Sequence, residues 1–245
     1  MMNKNVLVTG ATRGLGLAIT RRLQIEGYHV IATGRKQTSE LKELILNNDN
    51  VSGKVIFHPF DLSKLNEIHE FVKFITKENG GFYGLINNAA LGYDGVLATM
   101  HDSQIAEIVN VNTLSVILLT KYLCRSMLIN GKGRIINISS IIGSTGFNGL
   151  SVYGATKSAL LGFTKSLSRE LGKANITVNS IAPGYMETDM TNLLQGDKLL
   201  AIKRRSPMGK LVGVDDVAGS VVFLLGKDAA MITGTTITVD GGSTA

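Results

Sequence analysis

Short apolar runs alternate along the chain with longer segments in which apolar residues recur at every third or fourth position. The short runs are apolar throughout, which is typical of strands that are covered on both faces. The longer segments have the period of amphipathic helices. We predict seven strands, at residues 6–9, 28–33, 54–58, 84–87, 134–139, 176–182 and 235–239. We predict helices at residues 15–26, 39–46, 65–78, 102–128, 151–173 and 215–225.

The order of these elements predicts the fold. A strand, a helix and a second strand in series imply right-handed crossovers and a parallel sheet. No linker or change in composition divides the chain, and residues 185–213 form a polar stretch without a predicted element. Asp102 or Ser103 is the predicted N-cap of the long helix at 102–128. We therefore expect an α/β protein in which residues 1–245 form a single doubly wound domain, with a parallel seven-stranded sheet and helices on both faces.

The composition limits the class of protein. Of the 245 residues, 44% are hydrophobic and 18% are charged, which is typical of a globular protein. The net charge of +6 is spread over single cations and pairs, so it makes no case for nucleic acid. It suits an anionic ligand or an acidic partner, and it equally suits simple solubility. The four histidines lack metal-ligand spacing, so no metal site is predicted.

The expected location is the cytoplasm. Cys124 is the one cysteine, which excludes a disulfide within the chain and favours a reduced thiol. The first five residues lead straight into a strand and lack the features of a signal peptide. No apolar run reaches the roughly 18 residues that a membrane span needs. The richest run, at residues 114–119, is interrupted by Thr120 and Lys121.

Three glycines stand between the first predicted strand and the first predicted helix. Gly10, Gly14 and Gly16 have the spacing G-x-x-x-G-x-G. Glycine permits a tight turn and lets the backbone approach a ligand closely. The helix N-terminus behind the loop offers unpaired N–H groups and a partial positive charge to a pyrophosphate. The loop therefore predicts a dinucleotide site, although such glycines also occur in plain loops. The residues between the glycines that would share this contact are Thr12, Arg13 and Leu15.

The end of the second strand indicates which dinucleotide binds. An NAD site usually has an acidic residue there, whereas this chain has Arg35, and Arg13 stands in the glycine loop. Two cations without a carboxylate favour the 2′-phosphate of NADP(H), which is the predicted cofactor, although both could be ordinary surface arginines. Further nucleotide contacts are predicted after the third and fourth strands, namely Asp61 and Leu62 at the adenine, and Asn88 and Ala89 at the adenosine ribose, although the two asparagines could equally form a plain turn.

Tyr153 and Lys157 stand four residues apart in a predicted helix and therefore share one face. A free phenol has a pKa of about 10 and is a poor proton donor or acceptor at neutral pH. A fixed positive charge beside the phenol lowers that pKa. The pair is therefore a candidate for proton exchange with an alcohol or ketone oxygen, although the same spacing is common in helices without such a role.

Together these motifs resemble the short-chain dehydrogenase/reductase family, whose members have a Rossmann fold, over essentially the whole chain. One departure is Ala90, where many members have Gly. Residues 183–190 and 239–242 are most similar to the bacterial 3-oxoacyl-(acyl carrier protein) reductases. The residues that carry the resemblance are Thr9 and Gly10 with Gly14, Leu15 and Gly16, then Asn87 to Ala90, Asn112, Ser139, Ser140, Tyr153, Lys157, Pro183 and Gly184.

The resemblance implies an NADPH-dependent oxidoreductase with four catalytic residues. Tyr153 would donate a proton to a ketone oxygen, and Ser140 would donate a hydrogen bond to the same oxygen. Lys157 would lower the phenol pKa and hold the nicotinamide ribose, while Asn112 would hold a water between Lys157 and solvent. The resemblance also implies a homotetramer that pairs through the two long helices and the C-terminal strand region. Further cofactor contacts that it implies are Pro183, Gly184, Met186 and Thr188.

These motifs leave the substrate open. The resemblance favours a 3-oxoacyl thioester on acyl carrier protein, as in fatty acid or polyketide biosynthesis. The alternatives are a small alcohol, sugar or steroid-like ketone, or a non-catalytic NADP-binding regulator. Substrate choice is expected to lie in residues 91–100 and in a lid segment at 185–213. An acidic carrier protein requires basic residues around the cleft, and the candidates, which equally suit a solvated surface, are Arg125, Lys132, Arg134, Lys173, Lys203, Arg204 and Arg205.

Overall fold

The computed structural model describes residues 4–186 and 197–245. Its strands are β1 (Asn5–Thr9), β2 (His29–Gly34), β3 (Lys54–Pro59), β4 (Gly84–Asn87), β5 (Gly133–Ile138), β6 (Ile176–Pro183) and β7 (Thr236–Val239). They form one sheet in the order β3-β2-β1-β4-β5-β6-β7, and each neighbouring pair is parallel. The predicted parallel seven-stranded sheet is therefore confirmed, and its strand boundaries differ from the predicted ones by one residue at most.

The helices of the described residues are α1 (Gly14–Ile25), α2 (Ser39–Leu46), α3 (Ile68–Asn79), α4 (Asp102–Val109), α5 (Ser115–Asn130), α6 (Ile142–Thr145), α7 (Ser151–Leu171), α8 (Asp197–Arg205) and α9 (Val214–Leu225). All predicted helices are present, but α3 begins three residues later than predicted and the short helix α6 was not predicted. A π-helical turn at Asn110–Leu114 divides the predicted long helix into α4 and α5. His101 is the N-cap of α4 in place of Asp102 or Ser103, and its N–H donates to Gln104 Oε1 at 3.3 Å. α8 lies in the stretch that was predicted to be irregular.

Apolar side chains leave the strands toward both faces. Val6 and Val8 of β1 pack into one layer with α1, α2 and α9, while Leu7 between them packs into the other layer with α3, α5 and α7. These three side chains are fully buried, and burial of one such side chain contributes roughly 2 kcal/mol. Helices on both faces of a parallel sheet confirm the doubly wound α/β fold.

The strand order reverses at β1, which pairs with β2 on one side and with β4 on the other. In open α/β sheets, ligands bind in the crevice outside the carboxyl ends of the strands at such a point. The loops that follow β1, β4 and β5 therefore surround the predicted site.

One helical segment of the described chain, Asp102–Asn130, is long and apolar enough to cross a membrane by length and composition alone, and 39% of its most apolar window is buried inside the protein. Leu119, Leu123 and Met127 on this segment are fully buried against the sheet. Lys121 and Arg125 are exposed on it. The segment therefore packs one face against the sheet, and its outer face carries these two cations beside exposed apolar residues such as Leu128 and Ile129.

Candidate active site

The glycine loop connects β1 to α1 and leaves no room for side chains where it folds back. Gly10 has φ +63°, and a Cβ there would lie 2.9 Å from the Cα of Ala89. A Cβ on Gly16 would overlap the carbonyl oxygen of Gly10. Gly14 has φ +52°, but the space around its Cβ position is open to 4 Å. The loop is therefore closed on the protein side and open on the side where a ligand would approach.

The first turn of α1 faces this open side. Its N-cap, Arg13, has an extended backbone and provides no capping hydrogen bond from its side chain, and no acidic residue stands in the first turn. The first N–H groups of a helix lack partners within the helix. A negatively charged group is the partner that such a helix end favours. Gly14, Leu15 and Gly16 therefore fit the pyrophosphate of a dinucleotide.

Thr9 joins the glycine loop to the loop after β4. Its hydroxyl oxygen accepts the backbone N–H groups of Asn88 and Ala89, both at 3.0 Å, and donates to Ile86 O at 3.3 Å. Asn88 Nδ2 in turn donates to Thr9 O at 2.9 Å and to Gly10 O at 3.3 Å. The amide of Asn88 thus holds the glycine loop in place. Sequence patterns assign Thr9 no role, although a hydroxyl at the end of β1 is a signal for one.

The end of β2 also reaches the glycine loop. A Cβ on Gly34 would lie 2.7 Å from Thr12 Cγ2, and Thr38 Oγ1 donates to Thr12 O at 2.6 Å. Arg35, which follows Gly34, is exposed on this side of the sheet. The predicted phosphate-binding arginine therefore stands beside the loop that Arg13 belongs to.

Asp61 lies close enough to Arg35 for their charges to interact. Burial alone would raise the pKa of Asp61, but hydrogen bonds from Ser63 and the positive charges of Arg35 and Lys64 outweigh it and lower that pKa. Ser63 N–H donates to Asp61 Oδ1 at 3.0 Å. Leu62, beside it, is buried. The structure therefore brings the predicted adenine-side residues and the predicted phosphate-side arginine to one place.

Tyr153 and Lys157 lie on α7, one turn apart, and both face the carboxyl end of β5. Lys157 Nζ is 5.6 Å from the centre of the Tyr153 ring and donates to Ile138 O at 2.8 Å. Lys157 is buried, whereas Tyr153 is half-buried. Ser139 Oγ donates to Lys157 O at 2.9 Å and so ties this helix to the end of β5.

The pKa of Tyr153 moves in the direction opposite to the prediction. Burial raises it to about 12, a hydrogen bond with the Ser140 side chain opposes this rise, and the nearby Tyr185 phenol adds to it. Burial also lowers the pKa of Lys157 to about 8. The prediction of a lowered phenol pKa is therefore wrong for the protein by itself, because desolvation is the largest influence on the Tyr153 phenol.

Ser140 lies beside Tyr153. It follows β5 and its hydroxyl is hydrogen-bonded to the Tyr153 side chain. Ser140 Oγ also accepts the backbone N–H of Ile142 at 3.2 Å, which starts the short helix α6. The serine and the tyrosine therefore present two hydroxyl groups to one point at the carboxyl edge of the sheet.

Asn112 links the loop after β4 to the helix that carries Tyr153 and Lys157. It is 1% exposed and lies in the π-helical turn Asn110–Leu114. Its Oδ1 accepts the Leu91 N–H at 2.7 Å, and its Nδ2 donates to Leu91 O at 2.8 Å and to Thr156 Oγ1 at 3.2 Å. The Thr156 hydroxyl donates to Tyr153 O at 2.7 Å. Both amide ends of Asn112 are thus engaged in joining the loop after β4 to α7, a role that the sequence did not indicate.

The remaining predicted contacts lie at and after the end of β6. Pro183 O accepts the Ile141 N–H at 3.1 Å, and Gly184 N–H donates to Val239 O at 2.8 Å. Met186 pairs with Val212 in an isolated parallel bridge. Thr188 lies outside the described residues.

The seven candidate basic residues do not form one group. Lys132 and Arg134 lie at the amino end of β5, and Lys173 lies just before β6. Ser140 follows the other end of β5, and a six-residue strand is about 17 Å long. Arg125 is exposed near the end of α5. The last turn of α8 carries Lys203, Arg204 and Arg205, of which Arg205 lines a cavity together with Tyr185.

Comparisons with known proteins agree with this geometry. The family model described as short chain dehydrogenase matches residues 4–198. The 3-oxoacyl-(acyl carrier protein) reductase of Vibrio cholerae is 37% identical over 239 residues, which cover 98% of this chain and 96% of that protein. The reductase of the same name from Escherichia coli is 38% identical over 239 residues, with the same coverage. That of Haemophilus influenzae is 38% identical over 242 residues, which cover 99% of this chain and 98% of that protein.

A solved structure has the same fold. The crystal structure of a proposed gluconate dehydrogenase from Agrobacterium tumefaciens superimposes with a TM-score of 0.92 and 25% identity. The match covers 98% of this chain and 95% of that one.

Proposed function

The chain belongs to the short-chain dehydrogenase/reductase family and is an oxidoreductase acting on the C=O/CH–OH pair, and we propose that it reduces a 3-oxoacyl thioester on acyl carrier protein with NADPH. The observation that carries the proposal is the convergence of Ser140, Tyr153 and Lys157 at the carboxyl edge of the sheet, beside the glycine loop. Family membership implies a nicotinamide cofactor, and its phosphorylated form is the finer proposal.

The glycine loop and the ends of β2 and β4 would hold that cofactor. Gly10, Gly14 and Gly16 fit its pyrophosphate because the loop is open there and the N-terminus of α1 faces it. Arg13 and Arg35 would bind the 2′-phosphate, since an arginine fork matches phosphate oxygens. When bound, NADPH supplies the hydride that the carbonyl carbon accepts. Other contacts proposed for it are Thr12, Leu15, Asp61, Leu62, Asn88, Ala89, Tyr153, Lys157, Pro183, Gly184, Met186 and Thr188.

Tyr153 is the proposed proton donor. Because burial raises its pKa to about 12, the phenol is neutral at pH 7 and carries the proton that the reaction needs. An alkoxide is a much stronger base than a phenolate, so this proton transfer is favourable despite the high pKa. Ser140 donates a hydrogen bond to the same oxygen and stabilises the charge that develops on it.

Lys157 is the proposed partner of Tyr153. With a pKa of about 8 it is mainly protonated at pH 7, so a positive charge lies 5.6 Å from the phenol ring. This charge would stabilise the phenolate that remains after the proton has left, and the ammonium would also hold the nicotinamide ribose. Asn112 positions the catalytic helix through Thr156. The water between Lys157 and solvent is a further part of the proposal.

The relatives favour the acyl carrier thioester as substrate, because they are named as reductases of that compound. We further propose that residues 1–245 act as one cytoplasmic domain in a homotetramer. A small free ketone is the second candidate, since the solved structure of similar fold is described as a gluconate dehydrogenase.

A direct assay tests the proposal. The purified protein is mixed with NADPH and either 3-oxobutanoyl acyl carrier protein or ethyl 3-oxobutanoate, and oxidation of NADPH is followed. We expect a much higher kcat/KM for the carrier thioester than for ethyl 3-oxobutanoate. Equal or higher kcat/KM for the free ketone would identify the second candidate, and no turnover with any ketone would contradict both.

A further inference from the structure

A cavity of about 190 Å³ lies next to the residues that follow Ser140. Its wall is formed by residues of α6, by Tyr185 after β6, by residues of α8 and by the C-terminal turn at residues 240–244. Ile141 and Ile142, the two residues that follow Ser140, belong to this wall. We call this space the substrate-side cavity.

Tyr185 connects the cavity to the reacting atoms. Its phenol lies near enough to Tyr153 to raise the pKa of that catalytic tyrosine. The Tyr185 ring also contacts Phe147 edge-on, with 5.8 Å between the ring centres. A molecule whose carbonyl oxygen lies at Ser140 and Tyr153 would therefore extend into the cavity past these two aromatic rings.

Two cations line the cavity. Arg205 lies over the Phe147 ring, with its guanidinium carbon 5.9 Å from the ring centre, and Lys210 belongs to the same wall. Burial raises the pKa of Tyr185 and Asp94 adds to that rise, while the charge of Arg205 opposes both. Arg205 therefore faces the same space as the tyrosine.

Neither cation is neutralised within the part of the chain that the structure describes. No carboxylate there lies within ion-pair distance of Arg205 or Lys210. Asp240 belongs to the cavity wall, but its carboxylate is held by the C-terminal turn. Its oxygens accept N–H groups of Gly242 at 2.8 Å and Thr244 at 2.9 Å, and hydroxyl groups of Ser243 at 3.0 Å and Thr244 at 2.7 Å.

The rest of the lining is part aliphatic and part polar. Apolar surface comes from Ile141, Ile142, Ile202, Leu211 and Val212, and polar side chains come from Thr145, Ser206, Asp240, Ser243 and Thr244. Such a cavity suits a short hydrocarbon chain that ends in an anion, because guanidinium pairs with a carboxylate through two charge-assisted hydrogen bonds. Both cations are exposed, so a chain that ends in a methyl group would leave them hydrated and would gain no such bonds from them.

We propose that the substrate-side cavity is a carboxylate subsite, formed by Arg205 and Lys210, and that the ketone reduced at Ser140 and Tyr153 carries a carboxylate a few carbons from its carbonyl group. This inference rests on the proposed reductase function and refines its substrate class. The carboxylate belongs either to a free keto acid or to the far end of a carrier-bound acyl chain.

Matched pairs of ketones test the subsite. 4-Oxopentanoate and 5-oxohexanoate are compared with their methyl esters, and the N-acetylcysteamine thioester of 3-oxoadipate is compared with that of 3-oxohexanoate. We expect at least one charged member to have a kcat/KM about tenfold or more above that of its neutral counterpart. The free acids and the thioesters separate the two sources of the carboxylate.

Substitutions locate the effect. Arg205→Gln should lower kcat/KM for the charged member about tenfold while kcat/KM for the neutral member stays within about twofold, and Lys210→Gln should act in the same direction. Arg204→Gln is the control, because Arg204 is exposed on the same helix but lies outside the cavity wall. If neutral and charged ketones react equally in the unmodified protein, or if Arg205→Gln slows both alike, the subsite is contradicted while the reductase function stands.

A binding measurement separates failure of the subsite from failure of the reductase function. Hexanoate, which has no ketone to reduce, should raise the unfolding temperature of the NADPH-loaded protein, whereas methyl hexanoate should not. Arg205→Gln should remove this stabilisation. Stabilisation by hexanoate without turnover of any ketone would support the subsite and contradict the proposed reaction, while no stabilisation would contradict the subsite.

Discussion

The glycine-loop region and the substrate-side cavity are built in different ways. The glycine loop is shaped by backbone atoms, and the space around Gly10 and Gly16 admits only hydrogen. The cavity is shaped by side chains from separate parts of the chain, including Phe147, Tyr185 and Arg205. Backbone geometry imposes a recognisable residue pattern, whereas a wall of side chains can be made from many sequences. The proposed cofactor site can therefore be predicted from a sequence motif, whereas the substrate-side cavity can be recognised only in the structure.

The largest expected effect comes from adding one carbon to the glycine loop. Gly16→Ala places a Cβ on the carbonyl oxygen of Gly10 and against Asn88 Nδ2. The loop has to move away from the end of β4, so we expect loss of measurable NADPH binding together with a lower unfolding temperature. Binding is measured by titration with NADPH and stability by thermal unfolding.

Gly219→Ala provides the matched control for this change. Gly219 lies inside α9, and the space around its Cβ position is open to 4 Å. Alanine there should raise the free energy of unfolding by about 0.5–1 kcal/mol and leave NADPH binding unchanged. If Gly16→Ala bound NADPH as well as this control, the glycine loop would not be the closed surface described above.

The second prediction concerns the buried ammonium between the two regions. Burial lowers the pKa of Lys157 from 10.5 to about 8, so the unfolded chain binds more protons than the folded one between these pH values. Stability must then rise with pH in this window. Relative to Lys157→Met, the free energy of unfolding of the unmodified protein without cofactor should increase by about 2 kcal/mol between about pH 8 and pH 10.

Denaturant unfolding of both proteins across that range measures this effect. Subtracting the variant removes the titration of groups that the two proteins share. A difference that is constant with pH would show that Lys157 keeps an ordinary pKa and that the site is solvated.

The smallest of these effects concerns the choice between the two dinucleotides. Replacing Arg13 and Arg35 together by Gln removes the cations beside the glycine loop. NADPH should bind about tenfold or more weakly, because two charge-assisted hydrogen bonds to phosphate are lost. NADH should bind within about twofold of its original affinity. Equal losses for the two dinucleotides would show that neither arginine reads the 2′-phosphate.

Most of the fold could be predicted because its signals are local. Continuous apolar runs identified the seven strands that residues 4–186 and 197–245 form, and the alternation of strands and helices predicted the parallel sheet. The glycine spacing and the Tyr153–Lys157 spacing were equally local. Their convergence follows from the fold, since both stand at the carboxyl edge of one parallel sheet.

The features that sequence reasoning missed depend on contacts between distant residues. Asn112 bonds to Leu91 and Thr156, which are 21 and 44 residues away along the chain. The sequence around Asn112 has no pattern that predicts these partners. The pKa of Tyr153 depends on burial, which a four-residue spacing does not reveal. Lys132 and Arg205 are both cations in the sequence, but only the fold shows that they lie at opposite ends of the sheet.

The helix α8 was missed for a different reason. Residues 197–205 are strongly polar, and the apolar period that marks the other helices is short there. A helix on the surface needs fewer apolar positions than one packed against the sheet. The same polarity supplies Arg205 to the cavity.

The most direct test of the central claim is the single-turnover rate of ketone reduction by Tyr153→Phe. The protein, saturated with NADPH, is mixed with the best ketone substrate, and NADPH oxidation is followed in one turnover. Tyr122→Phe, which removes the hydroxyl from a ring that stacks on His69, is the control. We expect Tyr153→Phe to be about 10³-fold slower with NADPH affinity within a few-fold of the original, and the control to be unchanged. A Tyr153→Phe rate within a few-fold of the unmodified protein would contradict proton donation by this tyrosine.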